Sequence, residues 1–194
     1  IILSTGMSKF VEISKTINFL KKKNKKKITV LHCISSYPTH PKDVQIYNML
    51  KIKKNHNIDV GFSDHTDSYE AAIAATTLGA TTIEKHLTIN TNMKGPDHSS
   101  SLNVKQFSEF VKSIRNTEKI ITNKTKKISF DESQNLKIVR KSIVAKTKIK
   151  KGERFSRNNI TTKRPDNGIS ASHWFKVLNK IAKKNFEIND KITL

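Results

Sequence analysis

The chain holds a single cysteine, Cys33, among its 194 residues. No disulfide can close within it, and a reducing cytoplasm is its natural compartment. No apolar run approaches the roughly 20 residues that a membrane-spanning helix needs. The opening IILSTGMSKF is apolar for three residues only and carries no basic leader, so no secretory signal is read in it. A chain of this length can bury one good core, or a larger domain plus a small second one, without metal or disulfide staples. The expectation is a soluble, cytoplasmic protein with no membrane partner.

Acidic residues are also scarce, 16 against 37 Lys and Arg, for a formal net charge of +21. Such an excess invites a nucleic-acid partner, because lysine and arginine neutralise phosphates and release counterions. The distribution argues otherwise. The lysines cluster in KKKNKKK (21–27), KIKKN (51–55), TKK (125–127) and KIKKGER (148–154), at helix ends, linkers and turns. No aromatic residues interleave with them, as a platform for stacking single-stranded bases would require. Abundant Lys, Asn and Ile are also what a nucleotide bias toward A and T would write into exposed positions. The charge is therefore read as solvated faces with no nucleic-acid partner, and a basic nucleic-acid binder is kept as the alternative from another functional class.

Over the first 115 residues, short apolar runs with polar tips (1–7, 28–36, 58–65, 80–88) alternate with helical stretches such as KFVEISKTINFLKKK and YEAAIAATTLG. Strands alternating with helices predict βα units and a parallel sheet, with functional groups at the carboxyl ends of the strands. Four such units are half of what a closed (β/α)8 barrel needs in about 250 residues. The expected fold class is therefore α/β, half of a TIM barrel over residues 1–122, with the N-terminal half absent and no turnover by these residues alone. Residues 123–136 read as a polar linker. Residues 137–194 carry short strands and turns and predict a small, mostly β domain.

Chemistry concentrates at the strand tips. GFSDHT (61–66) places a serine, a carboxylate and an imidazole at the end of a buried strand. Ser63, Asp64 or Thr66 could cap the following helix, but capping does not call for His65. His86, in IEKHLT, occupies the same kind of strand end one βα unit later. That spacing puts two imidazoles on one rim, able to share a metal ion with positions left for water and substrate, each beside a carboxylate, Asp64 or Glu84. Coincidence is the competing reading. His32 and Cys33 suggest a nucleophile pair, but neighbours in a strand face opposite sides. Tyr37 lies in another tip loop, and STGM (4–7), with Ser4, offers hydroxyls and a glycine to a phosphate or carboxylate. Asp97, in NMKGPDHSSSL, is a hydrogen-bond partner behind a metal ligand, a sugar-hydroxyl acceptor or the N-cap of a turn, and the pattern favours the cap. Arg164, in KRPDNGIS, is an anion or polar-substrate clamp or simply a surface arginine.

In order along the chain, STGM, LHCISSYPT, GFSDHT, EKHLT, GPDHSSSL, KSIVAKTKIKKGE and KRPDNGIS resemble the sialic acid synthases, which make N-acetylneuraminate and related nonulosonates. The resemblance implies the C-terminal half of a TIM barrel followed by an antifreeze-like, or SAF, domain. It implies condensation of phosphoenolpyruvate with N-acetylmannosamine or a related 2-acetamido sugar, giving a nonulosonic acid and phosphate, with legionaminate or pseudaminate synthesis as alternatives. A non-catalytic SAF module that binds sugar is the reading from another class. By resemblance, a divalent cation (Mn2+ first, Mg2+ or Co2+ otherwise) sits on His65 and His86, and Glu84 moves a proton. Ser63, Tyr37, Ser35, Ser4, Asp97 and Arg164 fall to substrate binding. Family dimers insert the matching arginine into the partner's barrel, so a homodimer is implied. The family's usual Asn after LHC is Ser35 or Ser36 here, and Asn179 stands where its V-x-G-K segment has Gly.

Overall fold

The computed structural model of the chain describes residues 1–23, 27–122 and 125–194. It divides into two units, Ile1–Asn123 and Lys124–Leu194. In the first, β1 (Ile2–Ser4), β2 (Thr29–Cys33), β3 (Asp59–Asp64) and β4 (Ile83–Lys85) form one parallel sheet in the order β1-β2-β3-β4. Helices α1 (Phe10–Lys23), α2 (Tyr47–His56) and α3 (Glu70–Thr77) make the crossovers between them.

Alternation along each strand divides the sheet into two faces. Val30, Val60 and Phe62 face the helices and pack with Ile13 and Ile17 of α1, Met49 and Ile52 of α2 and Ala75 of α3. Each fully buried large side chain there contributes about 1.5–3 kcal/mol. Leu31, Cys33, Gly61 and Ser63 occupy the other face. Gly61 is required by a close approach, because a Cβ there would lie 2.3 Å from the Thr82 carbonyl oxygen and 2.5 Å from Leu31 Cδ2. The Thr82 carbonyl accepts from Phe62 N at 2.9 Å, and Thr81 N donates to the Val60 carbonyl at 2.8 Å, so the β3–β4 joint is built around that missing side chain.

The last apolar run of the first unit does not continue as one strand. It breaks after β4 and resumes as β5 (Leu87–Thr88), which pairs in parallel with β6 (Leu102–Asn103), leaving His86 at the break. Helix α4 (Val104–Ile120) follows, opened by a capping box between Asn103 and Gln106. It packs on α3 through Phe110 and Ile114, which form a small core with Ala72 and Leu102.

The stretch read as a polar linker contains a helix, α5 (Phe130–Val139), opened by a capping box between Ser129 and Glu132. All of its residues stay at least partly exposed, so its sequence lacks the apolar stripe that would have signalled it. Residues 123 and 124 of that expected linker, and 24–26 of the KKKNKKK run, lie outside the described residues. In the second unit, β7 (Ser142–Ala145) pairs antiparallel with β8 (Ile160–Lys163), and isolated bridges tie in Ile149, Phe186 and Lys191. Ile143, Ile149, Phe155, Ile160, Phe186 and Ile192 build its core, and the Phe155 and Phe186 rings meet edge to face at 5.8 Å. The segment HWFKVLNKIA holds one helical turn, α6 (Trp174–Val177). Asn179 then adopts φ 66°, the left-handed conformation that asparagine tolerates best after glycine. Among the described residues no helix is long and apolar enough to cross a membrane.

Candidate functional site

The carboxyl ends of β3 and β4 place the two histidines together. In the register of the pair, Ser63 sits beside Glu84 and Asp64 beside Lys85, so His65 and His86 follow as the next residues on adjacent strands. Their rings lie 5.0 Å apart, centroid to centroid, nearly perpendicular at 78°. The Tyr37 ring stands over both, 4.3 Å from His65 and 5.4 Å from His86. Tyr37 is carried there because Thr39 N donates to the His65 carbonyl at 2.8 Å, which ties the loop after β2 to the end of β3.

His65 Nδ1 lies 2.8 Å from the Ile34 carbonyl oxygen. A carbonyl only accepts, so Nδ1 carries the proton and Nε2 is the ring nitrogen available to a ligand. Among the described residues, no third His, Cys, Asp or Glu joins the pair in a cluster able to hold a metal ion. Two imidazoles, one with its tautomer set, fit a divalent cation that takes its remaining ligands from water or substrate oxygens.

Ser63 Oγ donates to Glu84 Oε1 at 2.6 Å. The serine is buried and the glutamate exposed, so this pair presents a carboxylate to the rim next to the imidazoles. Asp64 does not cap a helix, and neither do Ser63 and Thr66: α3 begins after Tyr69, without a side-chain cap. Instead Asp64 Oδ1 accepts from Thr66 N and Thr66 Oγ1, both at 2.8 Å. Its Oδ2 accepts no well-angled hydrogen bond, and its charge is met by Lys85 Nζ at 3.1 Å. Sequence reasoning missed Lys85, because a lysine between a glutamate and a histidine carries no signal that it turns inward.

His32 and Cys33 face opposite sides. His32 is buried toward the helices, stacked 6.1 Å from Phe62, and donates from Nε2 to the Val44 carbonyl at 2.7 Å. Burial depresses its pKa, and the hydrogen bond to Val44 only partly opposes that. Cys33 Sγ instead lies on the sheet face away from the helices, 3.9 Å from His65 Nδ1.

The other residues singled out spread along the rim or lie in the second unit. Ser35 is held against Gly6, where a Cβ would come within 2.1 Å of Ser35 Oγ. A cavity of about 440 Å3 opens at the ends of β1 and β2 beside Thr5, Ser8, Cys33, Ser35 and Gln45, and neither His65 nor His86 lines it. Ser4 ends β1, exposed. Asp97 occupies the N-cap position of a short 3-10 turn, as the cap reading has it, but its side chain makes no capping bond and the carboxylate is exposed to solvent. Arg164 is exposed in the second unit and donates from Nε to the Val139 carbonyl, at the end of α5, at 2.8 Å.

Comparison with known proteins gives this geometry a context. The NeuB family model matches residues 1–126, and the SAF domain model matches residues 140–194. The chain is 46% identical over 194 residues to an N,N'-diacetyllegionaminic acid synthase of Campylobacter jejuni, covering 99% of this chain and 58% of that protein. It is 30% identical to a pseudaminic acid synthase of Helicobacter pylori, covering 100% of this chain and 57% of the relative. It is 31% identical to the human N-acetylneuraminate-9-phosphate synthase, covering 84% and 45%. The chain thus spans about half the length of these curated relatives. Among solved structures, the N-acetylneuraminic acid (sialic acid) synthetase of Leptospira borgpetersenii, in complex with citrate, aligns with a TM-score of 0.61 at 30% identity, covering 69% of this chain and 47% of that one. The spore coat polysaccharide biosynthesis protein spsE of Bacillus subtilis aligns with 0.59 at 27% identity, covering 99% and 59%.

Proposed function

This chain belongs to the NeuB family, and from that membership we propose that residues 1–122 are the C-terminal half of a synthase (β/α)8 barrel, joined by residues 123–136 to a SAF domain at 137–194. The proposed reaction condenses phosphoenolpyruvate with an acetamido-sugar aldehyde to give a nonulosonic acid. C3 of the enol phosphate forms a bond to the aldehyde carbon, a water oxygen adds at C2, and the C2–O bond to phosphorus's oxygen breaks to release inorganic phosphate. The observation that carries this reading is the pairing of His65 and His86, 5.0 Å apart at adjacent strand ends, beside the hydrogen-bonded Ser63 and Glu84.

A divalent cation on these imidazoles, Mn2+ first with Mg2+ or Co2+ as alternatives, would supply Lewis-acid polarisation of the aldehyde oxygen. The remaining work falls to the chain's own groups. The Ile34 carbonyl holds the His65 ring with Nε2 outward, and Tyr37 covers both rings on one side and limits water there. With Oε1 engaged by Ser63, Glu84 keeps Oε2 to accept a proton from the attacking water. Ser4 and Ser35 offer hydroxyl donors to the phosphate or carboxylate of phosphoenolpyruvate, and Asp97 accepts from a sugar hydroxyl. Arg164, anchored through Nε, offers its terminal nitrogens to the sugar acetamido group in the partner's barrel of a homodimer.

The 46% identity to a diacetyllegionaminic acid synthase, against 31% to the N-acetylneuraminate-9-phosphate synthase, supports a diacetamido sugar ahead of N-acetylmannosamine. Calorimetric titration with Mn2+ tests the site. The chain should bind one ion and the His65→Ala/His86→Ala double variant none; binding that survives the double substitution refutes the site. Phosphate release from phosphoenolpyruvate with each sugar, measured on a synthase in which these residues are joined to a complete barrel, tests the substrate order, and equal non-zero turnover refutes it.

A further inference from the structure

The ion pair between Asp64 and Lys85 is the most completely buried charged group of the first unit's rim, with side chains 0% and 2% exposed. Each partner immediately precedes one of the two histidines, and the two are register partners across β3 and β4. Lys85 Nζ reaches past Asp64 to donate to the Thr66 carbonyl. Asp64 Oδ1 accepts from both Thr66 N and Thr66 Oγ1. One cation rooted in β4 is therefore bonded to both sides of the turn that carries His65, and the Phe110 ring of α4 covers it at 5.8 Å.

We propose that the Asp64–Lys85 pair is a positioning device that sets the separation and orientation of the His65 and His86 imidazoles. The backbone of each histidine is pinned from outside the pair, His65 O by Thr39 N at 2.8 Å and His86 O by Leu102 N at 3.0 Å. The offset between β3 and β4 at their tips is then the coordinate that moves one ring against the other, and the ion pair spans it. Folding stability alone does not call for charges here, since a buried pair is often replaced by apolar side chains without loss. An apolar contact is non-directional. A carboxylate holding a turn on one oxygen and an ammonium on the other is directional. Groups that orient metal-binding histidines through hydrogen bonds to the ring typically carry 10–100-fold in metal affinity, and this pair acts on the same orientation through the backbone.

The inference rests on the reading of His65 and His86 as a metal site, and the test separates the two. The Asp64→Asn/Lys85→Met variant keeps an oxygen for Thr66, removes both charges together and leaves no buried ion unpaired. In the 194-residue chain it should still unfold cooperatively, bind Mn2+ at least tenfold more weakly, and show shifted or exchange-broadened imidazole 15N signals for both histidines without metal. A folded variant with Mn2+ affinity within twofold of the parent and unchanged imidazole signals overturns the proposal. If the parent itself binds no Mn2+, the metal reading fails, and the metal-free imidazole signals alone decide the positioning role. Should the double variant not fold, Lys85→Arg replaces it: a longer, planar cation should shift the same signals and weaken Mn2+ severalfold, and unchanged values overturn the proposal.

Discussion

Gly61→Ala places a methyl group at the joint that aligns the site. The added Cβ would lie 2.3 Å from the Thr82 carbonyl oxygen and 2.5 Å from Leu31 Cδ2, distances that real Cβ atoms essentially never show. Leu31 is 1% exposed and must shift inside the packed core to make room, so overpacking costs about 1–3 kcal/mol. The Thr82 carbonyl can withdraw only by loosening its bond from Phe62 N and the neighbouring Thr81 N to Val60 O bond, each about 1 kcal/mol. Restricting the unfolded chain returns roughly 0.4–1 kcal/mol. The expected net loss is about 2–4.5 kcal/mol, a large part of the roughly 5–15 kcal/mol typical of a domain. Urea unfolding followed by far-UV circular dichroism measures it, while fluorescence of Trp174, the chain's one tryptophan, reports separately on the second unit. Moving β4 away from β3 also separates Glu84 from Ser63 and His86 from His65, so Mn2+ affinity should fall with stability. A stability within about 0.5 kcal/mol of the parent, below the least overpacking cost, would refute the steric argument.

His32 gives stability a pH dependence. Its folded pKa is depressed by burial, so the unfolded chain binds its proton more readily; stability is full above the unfolded value of about 6.5 and is lost as pH falls through the window below it. His32→Gln, which can still donate to Val44, should flatten that slope between pH 7.5 and 5, and an unchanged slope refutes the assignment. Asn103→Ala removes the side-chain half of the α4 capping box and should cost about 1 kcal/mol in urea unfolding. Asn179→Gly should be neutral or slightly stabilising because φ is 66° there, whereas Asn179→Ala should cost about 1 kcal/mol. A greater loss for Gly than for Ala at that position would contradict the backbone argument.

Periodicity and turn chemistry act over a few residues, which is why the βα alternation, the helix at 104–120 and the small β-rich unit could be read from the chain alone. The recurrence of His65 and His86 at equivalent strand tips was legible for the same reason: position along a parallel strand predicts which rim a residue joins. Helix α5 was not, because its order comes from a capping box and not from a buried face, so it leaves no apolar stripe to find. The roles within SDHT and IEKHLT also lay beyond the sequence. Asp64 could have been a cap and Lys85 a solvated charge; only the β3–β4 register, set by the close approach at Gly61, turns them toward each other and away from water. Local residue order determined which groups stand at the strand ends. Tertiary packing decided which of them meet, because burying a carboxylate and an ammonium is tolerable only where each finds the other.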